Sequence, residues 1–287
     1  KREFLFASNE IRVKIEDRLK AHEQILLSGA ALFDASEEVD RQEWKTFLQR
    51  TKVESILPGI QGVGFSQWIP PEELEEQIKN IRNQGFPNYS VKPEDKRDAY
   101  SSIIYLEPFS GRNLRAFGYD MFSEPVRRAA MERARDMNEA ALSGKVKLVQ
   151  ETDEDIQAGT LMYVPVYRKG MPTDTVEQRR AALTGWVYSP YRMNDLMRGI
   201  LGGWDSPEGL RIGLQVYDGT TISRQSLLYD SQASKDGETV LQGRFTEQKQ
   251  VNFNGRPWTL NFTYLGRQSL FADYAKVWMS LTSGLVI

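Results

Sequence analysis

Apolar residues recur at steps of three and four along the start of the chain. Ile11, Ile15, Leu19, His22, Leu26, Ala30 and Phe33 fall on one face of a helix predicted over 4–33. No proline interrupts this stretch, and Arg12, Lys14, Glu16, Asp17, Lys20 and Glu23 take the other face. A helix of about thirty residues is ~45 Å long, longer than a small domain is wide. It is expected to pack along more than one unit or against a partner chain. His22 sits on the apolar stripe, where a partly buried histidine with one hydrogen bond is the expected reading ahead of a ligand or catalytic role. A second helix is predicted near 37–52, with Asp40 and Glu43 as a capping box and Trp44, Phe47 and Leu48 inward.

From Ile60 the period changes. Residues 60–69 read as a buried strand, and Pro70-Pro71 opens a short helix with Leu74, Ile78 and Ile81 inward. Residues 100–106 are rich in β formers, and a weaker strand is predicted over 113–119. Ser123 is the expected cap of a helix running to about Met137, with Pro125 in its first turn. Strands follow at 146–150 and 160–167. The polar stretch 170–181 has no sheet pattern and reads as a seam between units. Beyond it, 183–188 is a strand, Ser189-Pro190 starts a helix to about Leu201, and strands are expected at 210–217, 227–229 and 245–253. Asn254-Gly255 is a hairpin signal. After it, Trp258, Leu260, Phe262 and Tyr264 alternate with Thr259, Asn261 and Thr263, as in a strand with one wet face. The pattern is α+β: a long N-terminal stalk helix, then two units built on antiparallel sheets.

The first residue is Lys1, which reads as a piece of a longer chain, and 271–287 becomes steadily more apolar after Lys276. Trp278, Leu281, Leu285, Val286 and Ile287 have the character of a membrane helix just beginning. The other reading is a terminal helix packed on the core.

Composition narrows the chemistry. The net charge of −2 offers no global basic field for nucleic acid. There is no cysteine, hence no disulfide and no thiolate, and His22 is the single histidine. Sites that need two imidazoles are excluded, and no metal or cofactor is expected. Asp120 lies among Phe117, Tyr119, Met121 and Phe122, where a carboxylate must find donors or shift its pKa. Two readings stand for it: an acceptor for ligand N–H groups, or a cap for the following helix. Tyr105, Tyr163 and Tyr167 fit either a pocket lining for a flat ligand or ordinary core. Arg127, Arg128, Arg133 and Arg135 read as a solvated helix face, and Glu151, Asp153, Glu154 and Asp155 as a mobile acidic loop without calcium-loop spacing. Gly59-Ile-Gln-Gly-Val-Gly64 precedes no Gly-Lys-Ser/Thr, and it opens a strand rather than following one, so it is no nucleotide loop.

Four segments carry a resemblance. They are Leu57-Pro-Gly-Ile-Gln-Gly-Val-Gly-Phe65, Phe117-Gly-Tyr-Asp-Met-Phe-Ser-Glu-Pro-Val-Arg-Arg128, Ser143-Gly-Lys-Val-Lys-Leu-Val-Gln-Glu151 and Leu161-Met-Tyr-Val-Pro-Val-Tyr167. In this order and spacing, over roughly 55–201, the chain resembles the CHASE domain. That is the extracytoplasmic sensor of bacterial histidine kinases, of cyclic-nucleotide signalling enzymes and of plant cytokinin receptors. The resemblance implies two stacked PAS-like domains on the stalk, with a small-molecule ligand in the membrane-distal one. It also implies a homodimer anchored by flanking transmembrane helices, in the inner membrane with the sensor in the periplasm. The corresponding spans are 1–55 for the stalk, 56–170 for the distal domain, 171–265 for the proximal domain and 266–287 for a juxtamembrane segment. In the cytokinin-binding branch a pocket aspartate bonds the adenine edge, and Asp120 aligns with it. A leucine following a Thr-Gly-Lys tripeptide meets the ligand through its backbone there. Ser143, Gly144 and Lys145 align with the tripeptide and Leu148 with the leucine. Two departures are visible: Phe122–Arg128 replaces the plant acidic run, and Ser143 replaces threonine.

The reading is therefore a periplasmic ligand sensor in a two-component or cyclic-di-GMP pathway, itself not an enzyme. Its ligand residues are expected to be Asp120, Leu148, Ser143, Gly144, Tyr105 and Tyr163. The alternative is a protein- or surface-interaction module of the same fold with no small ligand. A carboxylate-based hydrolase is a distant third, since no paired carboxylates on adjacent strands stand out.

Overall fold

The computed structural model describes residues 1–53, 59–151, 155–202, 210–233 and 245–267. The segment expected to lead into a membrane lies outside these from residue 268 onward, as do Asp153 and Glu154 of the acidic loop. Among the described residues no helix is long and apolar enough to cross a membrane.

Helix α1 runs over Arg2–Ala35, 34 residues, or ~51 Å at 1.5 Å per residue. Its buried face is Phe4, Ala7, Ser8, Ile11, Ile15, Leu19, His22, Leu26, Gly29 and Ala30, the stripe read from the spacing. Helix α2 is Arg41–Thr51. Asp40 accepts the Glu43 N–H at 2.7 Å and Glu43 takes the Asp40 N–H at 2.9 Å, the predicted capping box. Strand β1 (Val63–Ile69) leads through a 3₁₀ turn, Pro71–Glu73, into α3 (Leu74–Asn83). Strand β2 (Tyr100–Glu107), α4 (Pro125–Met137), β3 (Ala141–Leu142) and β4 (Gly159–Tyr167) follow. Then come α5 (Val176–Ala182), β5 (Leu183–Arg192) and α6 (Met193–Leu201). The chain continues with β6 (Leu210–Asp218), β7 (Leu227–Asp230), β8 (Thr246–Phe253) and β9 (Arg256–Arg267).

Two antiparallel sheets result, ordered β2-β1-β5-β4-β3 and β7-β6-β9-β8. Helix α1 spans both. Near its start Phe4 meets the rings of Phe245 and Tyr264 beside the second sheet. Near its end His22 stacks on Tyr191 and Phe33 on Phe65 of the first sheet. The first sheet is thus covered on both faces. Phe65, Val164, Val187 and Tyr191 pack towards α1 and α2. Ile103, Leu161, Tyr163, Trp186 and Tyr188 pack towards α4.

Several expectations are corrected. The polar stretch 170–181 is no seam. It connects β4 to β5, which are neighbours in one sheet, and it carries α5, capped by Thr175 with Gln178. Strand β5 is the centre of the first sheet, and the change of sheet falls between Leu201 and Leu210. Ser189-Pro190 does not start a helix. The β5–β1 pairing ends at Tyr188, so a proline two residues on removes no N–H from that ladder and the strand continues to Arg192. The strand predicted over 113–119 begins instead with a 3₁₀ turn, Gly111–Ala116, because the Asn113 side chain bonds the carbonyls of Gln61 and Pro108. Strand 146–150 reduces to one bridge, Val146 to Gly159. The side of β9 carrying Thr259 and Thr263 is not wet: both are buried, and Thr259 donates to the Gly219 carbonyl. The Asn254-Gly255 hairpin forms as read, with positive φ at both residues.

Candidate functional site

Asp120 enters the 3₁₀ turn Met121–Ser123 at its cap position, fully buried. Oδ1 accepts the Ser101 N–H at 2.9 Å, the Ser101 hydroxyl at 3.1 Å and the Phe122 N–H at 3.0 Å. Oδ2 faces Arg97, with Nε and Nη2 each 3.1 Å away. Burial raises the carboxyl's pKa; the Ser101 N–H and the Arg97 charge oppose that shift. Arg97 is itself tethered to Asp95 at 2.5 Å and to the Pro93 carbonyl at 2.6 Å, over the Tyr100 ring. The cap of α4 is Glu124 rather than Ser123. Its longer carboxylate reaches back to the Val126 and Arg127 N–H groups.

Ser143 and Leu148 occupy the segment after β3. The Ser143 hydroxyl donates to the Gly144 carbonyl at 2.8 Å and accepts the Leu161 N–H at 2.9 Å. Gly144 lies against Arg256 and Val126, where a Cβ would come within 2.8 Å of the Arg256 guanidinium. Leu148 is buried over Gly159, and its carbonyl accepts the Glu151 N–H at 3.1 Å.

Met121, Leu148 and Tyr163 therefore meet in one apolar cluster under α4, next to Asp120. Tyr105 does not join them. It packs on the opposite face against Trp44 and donates to the Val39 carbonyl at 2.9 Å. The cause is a β-bulge: Phe65 pairs with Tyr105 but Ser66 with Ile103, so Ile104 is the extra residue and Tyr105 turns over. Tyr167 lies at the edge of the cluster and donates to the Arg135 carbonyl.

The α4 side holds polar groups that the sequence did not single out. Trp186 donates to the Met131 carbonyl at 3.0 Å, while the buried Tyr188 hydroxyl has no partner among the described residues. Among the described residues the Tyr163 hydroxyl finds only the Met121 sulfur, at 3.6 Å. Arg127 is 3% exposed and bonds the Tyr119 hydroxyl and the Lys147 carbonyl. Burial pushes the Tyr188 phenol far up, helped by Tyr163 and opposed by Arg127. The expected solvated arginine face is corrected in part: Arg127 and Arg135 are buried and Arg128 donates to the Phe122 carbonyl, while Arg133 is exposed as expected. Glu151 is no mobile acid either. Its carboxylate takes Arg192 Nε at 2.7 Å and the Gln157 N–H at 3.0 Å, and Arg192 also holds Asp155 and Asp195. Nothing in the charged run 92–98 marks Arg97 as the residue that turns inward.

His22 departs from its expected hydrogen bond. It is fully buried with neither ring nitrogen partnered among the described residues, and burial, then the Arg18 charge, lowers its pKa to about 3.

Among the cavities that open between the described residues, three stand out. One of about 820 Å³ lies between α2 and the ends of β1 and β2. One of about 440 Å³ lies between the end of α1 and the turn after β4, and one of about 270 Å³ lies along 85–92. None of the three is lined by Asp120, Ser143, Gly144, Leu148, Tyr105 or Tyr163.

Among known families, the model described as the CHASE domain matches residues 37–229. No curated protein matches the chain.

Proposed function

The chain belongs to the CHASE domain family, and from that premise we propose that it is the periplasmic sensory domain of a transmembrane receptor, binding a small ligand under α4 and signalling through helix packing in a homodimer. CHASE domains are extracytoplasmic sensors of signalling receptors, not catalytic domains. The enzyme of such a receptor, a histidine kinase or a cyclic-di-GMP enzyme, belongs to the rest of a longer chain. The two sheets are taken as two PAS-like units, the five-stranded one distal and the four-stranded one proximal.

The observation that carries the ligand site is the Tyr188 hydroxyl, buried without a partner among the described residues beside Tyr163 and Arg127. An unmet buried hydroxyl costs about 1–3 kcal/mol, and such a group is retained where a ligand or water completes it. Asp120, Ser143, Gly144, Leu148 and Tyr163 are proposed as the wall of the ligand site. Arg97 must release Asp120 before a ligand can bond that carboxylate. The output is argued from α1, whose exposed Phe6, Val13 and Leu27 are spaced by sevens with Lys20 between them. These exposed apolar residues on one face of α1 are proposed as the contact with a second copy of the helix. A ligand moves such a packing equilibrium only through its differential affinity, about 5.5 kcal/mol for a full switch.

A thermal-shift screen of small metabolites, adenine included, tests the reading. A binder at a hundred times its Kd adds about 2.7 kcal/mol, and Tyr188→Phe should weaken the effect. The second reading, a protein- or surface-binding module with no small ligand, is favoured by the saturation of the Asp120 carboxylate by its own chain. It gains the field if no compound binds and receptor output survives both Asp120→Asn and Tyr188→Phe.

A further inference from the structure

Arg41 opens α2 inside a cage of four rings. Its guanidinium carbon is 4.4 Å from the centroid of Phe86 and 5.2–5.4 Å from those of Phe117, Tyr105 and Phe109. Its Nε and Nη2 are buried with no hydrogen-bond partner among the described residues. Ring faces attract a cation, and the Glu107 carboxylate also favours its charge, yet its buried Nε and Nη2 have no hydrogen-bond acceptor among the described residues. The group stays charged at any physiological pH.

This residue lies on the wall of the groove of about 820 Å³. Lys45 stands one helical turn further on the same face of α2 and has no ion-pair partner among the described residues; Lys52 also lines the wall. Among the described residues the acidic lining residue is Glu107, one of whose oxygens takes the Phe109 N–H at 3.2 Å. Gln49 and Gln61 add amides able to orient a bound group, and Leu48 and Val63 supply an apolar surface. The volume is within the ~300–1,000 Å³ usual for small-molecule sites.

We propose that this groove is a second binding site, for a small organic anion that pairs a carboxylate or phosphate group with Arg41 and Lys45 and lays a short apolar body along Leu48 and Val63. The groove is on the α2 side of the first sheet, across from the Tyr188 cluster. Its failure would leave the ligand-face reading standing, and the converse holds too.

The test is calorimetric titration of the 287-residue chain with succinate, with inorganic phosphate and with neutral succinamide, at matched ionic strength in chloride. Succinate or phosphate should bind and succinamide should not; which of the two binds tighter assigns the oxyanion. Lys45→Gln, an exposed change that leaves the cage intact, should weaken binding about threefold to tenfold. Arg41→Met keeps an apolar occupant among the rings and should abolish binding, with folding checked by circular dichroism. Equal heats for succinate, phosphate and succinamide, or full affinity in Lys45→Gln, would overturn the proposal.

Discussion

Arg256 and Asp218 form a two-point ion pair, Nε to Oδ1 at 2.5 Å and Nη2 to Oδ2 at 2.6 Å. The second oxygen also takes the backbone N–H of Lys145 at 2.9 Å. The second sheet thereby grips the Ser143-Gly144-Lys145 segment of the first, and the Lys145 ammonium adds a bond to the Gln225 carbonyl. Asp218→Ala should cost about 1–3 kcal/mol in urea unfolding. It should also speed hydrogen exchange at the Lys145 amide. Unchanged exchange there would mean that the grip is not a real constraint.

Arg97 and Asp120 offer a sharper comparison. Removing one partner of a buried ion pair costs about 3–5 kcal/mol, because the other charge is stranded. Arg97→Ala should therefore destabilise strongly. Asp120→Asn keeps an oxygen for Ser101 and Phe122, so denaturant melts should find it milder than Asp120→Ala. Equal losses in the two Asp120 variants would show that the three donors on Oδ1 contribute little.

His22 sets an acid limit on stability. Its folded pKa of about 3 lies below the ordinary 6.5, so between those values the unfolded chain holds a proton that the folded one refuses. Stability is therefore lost as pH falls below about 6.5, by about 2 kcal/mol between pH 7 and pH 5. His22→Phe, which keeps the stacking on Tyr191, should flatten that slope in denaturant melts at the two pH values.

Gly29 permits the close approach of α1 to its neighbours. A Cβ there would lie 3.1 Å from Val187 and 3.2 Å from the Trp44 ring. Gly29→Val should force α1 away from the first sheet and cost about 1–3 kcal/mol. A melting temperature equal to that of the unaltered protein would show that the helix has slack at this point.

The periodic elements were legible because their information is local. The stripe on α1, the Asp40–Glu43 box and the Asn254-Gly255 turn each depend on residues within a few positions of one another. The family itself could also be read, from four short segments in order. Tertiary structure decided the rest. The bulge at Ile104 turns Tyr105 away from Tyr163, and only the pairing partner of β2 reveals that extra residue. The central place of β5 depends on partners more than a hundred residues earlier, on β1, and on β4. The inward turn of Arg97 and the silent hydroxyl of Tyr188 follow from which groups long-range packing happens to bring beside them. Local spacing fixes which face a residue shares with its neighbours; what that face meets is set by burial across the whole chain.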